Sequence, residues 1–134
     1  VTVITSKNEA KFAPVYELSD TVEEKILKIA QKIYGADGID LSDRAKNDIK
    51  KINELGFDKL PVCMAKTQFS LSDDHKKTGR PKDFKLNVLK MKISAGAGFI
   101  VCFTGDIMTM PGLPAHPAAE NMNIDDSGNI SGLF

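Results

Sequence analysis

The run F-I-V-C-F at residues 99–103 constrains this chain most. Five consecutive apolar residues without alternation read as a β-strand buried on both faces. A turn of small residues (Ala95, Gly96, Ala97 and Gly98) leads into it, and Thr104, Gly105 and Asp106 end it. Beyond lies M-T-M-P-G-L-P at 108–114, where two prolines and a glycine forbid regular structure. A buried strand emptying into a polar, glycine-containing loop is how α/β proteins present functional groups. The other reading is a core strand followed by a tail that hugs the surface.

A second apolar run, L-P-V-C-M-A at 60–65, reads as a central strand and stops at the polar Lys66, Thr67 and Gln68. Two helical patterns precede it. Asp20 with Glu23 resembles a capping box. Val22, Ile26, Ile29, Ala30 and Ile33 then form one apolar face, with Lys25, Lys28 and Lys32 off it, and Gly35 closes the helix. Residues 38–41 form a short extended link or strand. Ser42 caps a second helix whose buried face is Ala45, Ile49, Ile52 and Leu55; Gly56 closes it, with Phe57 packed under its end.

Upstream, 1–11 reads as a frayed arm and 12–18, with Pro14, as a short edge strand. Downstream, 66–84 is a long polar connection of the kind that is often functional or mobile. Residues 85–93 alternate as a half-exposed strand, joined by the 95–98 turn to the buried run as an antiparallel pair. Residues 124–130 form a tight terminal hairpin. The sum is a single α/β unit: a mixed, mainly parallel central sheet flanked by two amphipathic helices, with an irregular C-terminal tail.

The 134 residues suit one domain, and 18 basic residues balance 18 acidic ones, which argues against nucleic acid as a partner. The balance conceals an asymmetry. From Lys76 to Lys92 stand seven basic residues and one acid, whereas four acids and no Lys or Arg follow Gly105. No apolar run approaches a membrane span, and no secretory signal is visible. Cys63 and Cys102 each sit in an apolar run, as buried, reduced thiols of a cytosolic protein do. A disulfide requires their strands to be neighbours. The chain opens on Val1 rather than Met, as a piece of a longer protein would.

No complete active site is legible. Lys66 and Thr67 match the end of a phosphate-binding loop, but the six preceding residues hold no glycine to let backbone N–H groups crowd a phosphate. These residues either line a cleft with Gln68 or cap a strand. Ser72, Asp73, Asp74 and His75 read as a turn rather than a metal site, since ligands must converge from several elements. The two Cys and two His lack ligand spacing, and D-D-S-G-N-I at 125–130 lacks the repeat and terminal glutamate of a calcium loop. Lys76, Lys77, Arg80, Lys82 and Lys85 are either a solvated stretch or a collector of polyanions.

Three stretches carry a specific resemblance: P-V-C-M-A-K-T-Q at 61–68 with S-L-S-D-D at 70–74, S-A-G-A-G-F-I-V at 94–101, and T-G-D-I-M-T-M-P-G-L-P at 104–114. I-Y-G-A-D-G at 33–38, P-A-A at 117–119 and the closing G-L-F add to it. From about Val15 onward the chain resembles the C-terminal part of formate–tetrahydrofolate ligases. The resemblance implies an enzyme that makes 10-formyltetrahydrofolate from formate, tetrahydrofolate and Mg-ATP through formyl phosphate. It also implies a cytoplasmic homotetramer activated by K⁺ or NH₄⁺. The family's phosphate-binding loop lies near its N-terminus and is absent here, as is the tryptophan that helps stack the pterin.

The resemblance therefore implies a C-terminal domain, inactive alone, whose partner is the nucleotide-binding part of the same enzyme. It provides no catalytic and no metal residue. The candidate substrate-binding residues are Lys66, Thr67, Gln68 and Asp106 on the strand-end rim, with Lys76, Lys77 and Arg80 attracting the polyglutamate tail of folate. The competing classes are a non-catalytic folate- or nucleotide-binding module and a structural or interface domain.

Overall fold

The computed structural model describes residues 13–105, 107 and 115–132. The arm at 1–11, Asp106 and the 108–114 run lie outside the described residues. Among the described residues, no helix is long and apolar enough to cross a membrane.

Helix α1 spans Val22–Ile29 and continues as a π-helical turn, Ala30–Tyr34. Its N-cap is Thr21, one residue later than the sequence suggested. The Thr21 hydroxyl accepts from the Glu24 N–H while the Glu24 carboxylate accepts from the Thr21 N–H, a complete capping box. Asp20 instead accepts from the Glu17 N–H at 2.9 Å and pairs with Lys28 at 2.6 Å. Two expectations for this helix fail. Lys25 is fully buried rather than solvated, because it lies on the Val22, Ile26 and Ile29 stripe and its amine finds backbone acceptors inside. Ile33 is 52% exposed rather than buried, because the wider π turn takes it out of phase with Ile26 and Ile29. Gly35 closes the turn with φ of +73°, as a left-handed C-cap.

Strand β1, Gly38–Leu41, leads to helix α2, Asp43–Glu54. The Ser42 hydroxyl caps α2 by accepting from the Ala45 N–H at 3.1 Å. Ala45, Ile49 and Ile52 are buried as expected, whereas Leu55 is 64% exposed, since it lies past the last helical turn. Phe57 packs against the core. Strands β2 (Val62–Ala65), β3 (Lys85–Val88), β4 (Lys90–Ser94) and β5 (Phe99–Phe103) follow.

The topology is mixed. β1 pairs with β3 in parallel; a three-stranded sheet in the order β2-β5-β4 has β2 parallel and β4 antiparallel to β5. The single strand expected over 85–93 is interrupted at Leu89, where its two halves serve different partners. The 95–98 turn makes the β4–β5 hairpin, with the Gly98 N–H on the Ser94 carbonyl at 2.8 Å. The terminal hairpin is present as β6 (Asn123–Ile124) and β7 (Ile130–Ser131).

Both helices lie on one side of the sheet, and this corrects two further expectations. The main core joins Val22, Ile26 and Ile29 of α1 and Ala45, Ile49 and Ile52 of α2 to Val62, Val88, Met91, Ile100 and Cys102. Each fully buried aliphatic side chain contributes about 1.5–3 kcal/mol. β5 is thus buried on one face only, through Ile100 and Cys102; Phe99, Val101 and Phe103 on the other face are half-exposed. β2 is an edge strand among the described residues, and Cys63 is exposed. Its register sets Cys63 opposite Val101 and Met64 opposite Cys102, so the two thiols point to opposite faces and both are free. Residues 13–18 form bends and turns instead of an edge strand. Tyr16 reaches β2 through its side chain, its hydroxyl accepting from the Val62 N–H at 2.9 Å, rather than through a backbone ladder.

Candidate functional site

The parallel strands β2 and β5 end side by side. Beyond β5, the Thr104 N–H and hydroxyl both donate to the Ala65 carbonyl, at 2.9 and 3.1 Å. Gly105 then turns with φ of +78° so close to the 66–80 loop that a Cβ would sit 3.4 Å from the Asp73 carbonyl oxygen. A side chain there would be strained by the backbone and crowded by the loop. A cleft of about 590 Å³ opens at this junction, lined by Lys66, Thr67, Gln68 and Phe69 after β2, Asp73 and His75 from the loop, and Thr104 and Ile107 after β5. This is the carboxyl end of parallel strands, where open α/β sheets bind ligands.

The loop is shaped from within. The Lys66 ammonium donates to the carbonyl oxygens of Thr67 (3.2 Å), Ser72 (2.6 Å) and Ser70, and lies 5.3 Å from the centre of the Tyr34 ring. Burial pushes its pKa below the ordinary lysine value, while Asp73 opposes the shift. Ser70 and Ser72 are buried with their hydroxyls 2.9 Å apart, and Ser72 Oγ accepts from the Asp74 N–H. The loop closes where the Leu71 N–H meets the Gly79 carbonyl at 2.9 Å and the Gly79 N–H meets the Phe69 carbonyl at 3.2 Å.

Of the residues singled out by sequence, Lys66, Thr67 and Gln68 meet at the cleft. Lys66, however, spends its ammonium on three carbonyls and serves the loop rather than presenting a free charge. Lys76 and Lys77 stand exposed on the closed excursion next to His75, their N–H groups held by Asp74. Arg80 lies past the closure, with its guanidinium about 4 Å from where a Cβ on Gly35 would sit. No ion pair engages these three cations among the described residues. Asp106 lies outside the described residues.

Sequence reasoning missed Phe69, a 62% exposed aromatic on the cleft, and read Asp73 only as part of a turn, whereas it lines the cleft and its carboxylate accepts from the Asn87 amide at 2.8 Å. An aromatic directly after a strand-end polar triplet was the available signal for Phe69; nothing local announced Asn87.

No group of three or more His, Cys, Asp or Glu converges among the described residues. Asp125 accepts from the Ser127 and Asn129 N–H groups at 3.0 and 2.8 Å, so its carboxylate closes the β6–β7 turn. A larger, mostly apolar groove of about 720 Å³ runs beside Tyr16, Glu17, Ile33, Tyr34 and Met64.

A family model described as formate–tetrahydrofolate ligase matches residues 1–134. A curated protein named formate–tetrahydrofolate ligase, from Bacillus licheniformis, is 50% identical over 131 residues, which is 98% of this chain and 23% of that protein. The chain thus spans about a quarter of the length of that relative. A family match along the whole sequence, with half of the residues identical to a ligase, shows that the chain belongs to the formate–tetrahydrofolate ligase family.

Proposed function

We propose that this chain is the C-terminal domain of a formate–tetrahydrofolate ligase, and that its strand-end cleft collects the anionic tail of the folate substrate. One observation carries the reading. The 66–80 loop folds back on itself at Ser70 and Gly79, and its exposed excursion carries Lys76 and Lys77 directly after His75, which lines a cleft at the ends of two parallel strands. In this reading Thr67 and Gln68 offer hydrogen bonds at the cleft, Lys66 fixes the loop, and Arg80 extends the positive surface beyond it. Asp106, two residues after Thr104 in the sequence, completes the candidate set.

The ATP-dependent formylation, through formyl phosphate, belongs to the remainder of the enzyme. The glycine-bearing phosphate-binding loop that the resemblance implies is not in this sequence. The chain alone is therefore expected to be inactive, and the cytoplasmic homotetramer follows from the resemblance. Activation by K⁺ or NH₄⁺ likewise follows from the resemblance alone.

The test is charge reversal in the full-length ligase. Exposed ion pairs contribute about 0.5 kcal/mol each, so Lys76→Glu, Lys77→Glu and Arg80→Glu together raise KM for a polyglutamylated tetrahydrofolate about tenfold. KM for the monoglutamate and kcat stay put. An unchanged KM for the polyglutamate would leave the domain a purely structural role.

A further inference from the structure

Among the described residues, the sheet has one face covered by helices and one with no layer on it. α1 and α2 cover the side that carries Ile100 and Cys102. On the other side, the register lines up Cys63, Val101 and Lys92 in one row and Ala65, Phe103 and Lys90 in the next, with Phe99 opposite Ser94. The middle of this face is apolar: Phe99, Val101 and Phe103 are half-exposed and Cys63 is exposed. The rim on β4 is basic, with Lys90 and Lys92 exposed and the Lys90 ammonium 4.9 Å from the centre of the Phe103 ring.

All-parallel sheets are found with both faces covered, because crossover helices pack on them, and the β2–β5 half of this mixed sheet is parallel. A contiguous apolar patch with a charged rim marks an interaction surface. The occupant is constrained by length. The related ligase is more than four times as long as the segment it shares with this chain, so ample polypeptide exists to supply the second layer.

We propose that the Cys63, Val101 and Phe103 face is the seat of an amphipathic helix from the rest of the same ligase chain, with its apolar stripe on β5 and acidic residues toward Lys90 and Lys92. This rests on the reading that the chain is part of a longer ligase. It deepens that reading by saying which face meets the remainder and what chemistry the remainder brings. A helix across β5 would give the sheet a helical layer on each side. It would also leave the strand-end cleft open, since the cleft lies at the end of the strands and not on their face.

Cys63 reports on the Val101 and Phe103 face and Cys102 on the helix-covered one. The experiment alkylates the native full-length ligase with N-ethylmaleimide and reads both cysteines by peptide mass spectrometry, against the same protein unfolded in urea. If the face is covered, Cys63 reacts at least 100-fold more slowly in the native protein, and this protection persists when subunits are diluted until they dissociate. Val101→Glu, which places a charge in the middle of the seat, then speeds Cys63 alkylation at least tenfold.

A native Cys63 that reacts within threefold of the unfolded rate overturns the proposal. So does protection that vanishes on subunit dissociation, which assigns the face to a second copy. If Val101→Glu fails to fold, the unmodified protein decides. Ligase turnover, measured on the same preparation, tests the underlying reading separately, because a bare Cys63 with full turnover sinks only the docking.

Discussion

The Lys25 ammonium, inside the core, donates a hydrogen bond to the Leu60 carbonyl oxygen at 3.1 Å. The Asp58 carbonyl takes a second, at 2.6 Å. One charged side chain therefore ties α1 to the segment that enters β2, and the position of β2 determines the cleft.

Truncating Lys25 removes the packing of its stem and leaves two carbonyls without their partner. Lys25→Ala is expected to cost about 3 kcal/mol and Lys25→Met about 1–2 kcal/mol less than that, since methionine keeps the apolar stem. Burial holds the Lys25 pKa below the ordinary 10.5, and Lys59 adds to the shift. A lowered lysine pKa means that the folded state binds fewer protons than the unfolded one. This contribution to stability therefore rises as pH climbs from the folded value toward 10.5. Urea titrations between pH 8 and 10.5 should show that rise in the parent protein and not in Lys25→Met. Identical pH slopes would exclude Lys25 as the source.

Asp20 works at the opposite end of the scale. Its hydrogen bond to Lys28, at 2.6 Å, and the Glu17 N–H hold its carboxyl below the ordinary 3.8. A depressed carboxylate stabilises the fold above the unfolded value, and the contribution is lost as pH falls through the folded one. Thermal melts from pH 5 to pH 2.5 should show a fall in Tm that starts near pH 4 and is shallower in Asp20→Asn. High salt should shrink the difference, because the pair is partly exposed. Equal slopes in the two proteins would remove Asp20 from the acid response.

Local chemistry was the legible part of this fold. Ser42, Gly35 and Gly56 end their helices where the sequence places them, because caps and left-handed glycines act within a few residues. The α/β class and the β4–β5 hairpin were legible for the same reason. The failures share a longer range. F-I-V-C-F looks buried on both faces, yet only one face has a layer on it within these residues, so Val101 and Phe103 stay half-exposed. Lys25 looks solvated because its acceptors lie 33 and 35 residues away. The cleft was half legible. Its polar strand ends were visible as Lys66, Thr67, Gln68 and Thr104, whereas the fold-back at Ser70 and Gly79 depends on backbone hydrogen bonds that no spacing encodes. The family resemblance drew partly on 108–114, outside the described residues, and the family assignment rests on the match along the whole sequence.

Lys66 offers the sharpest test of how the loop is held. Three carbonyls, from Thr67, Ser70 and Ser72, converge on its ammonium, and the aliphatic stem leads back to β2. Removing the charge leaves those carbonyls pointing at one another in a partly buried site. Lys66→Met should therefore destabilise the loop by about 1–3 kcal/mol while sparing the sheet. Amide exchange separates the two. The Leu71 and Gly79 N–H groups, which close the loop, should lose at least tenfold protection in Lys66→Met. The Ile100 and Thr104 N–H groups, bonded to Pro61 and Ala65 across the β2–β5 junction, should keep theirs. Lys66→Arg carries the charge but presents a flat fork to a cluster shaped for an ammonium, so it should fall between the two. Unchanged protection at Leu71 and Gly79 in Lys66→Met would show that the buried Ser70 and Ser72 pair holds the loop without the lysine.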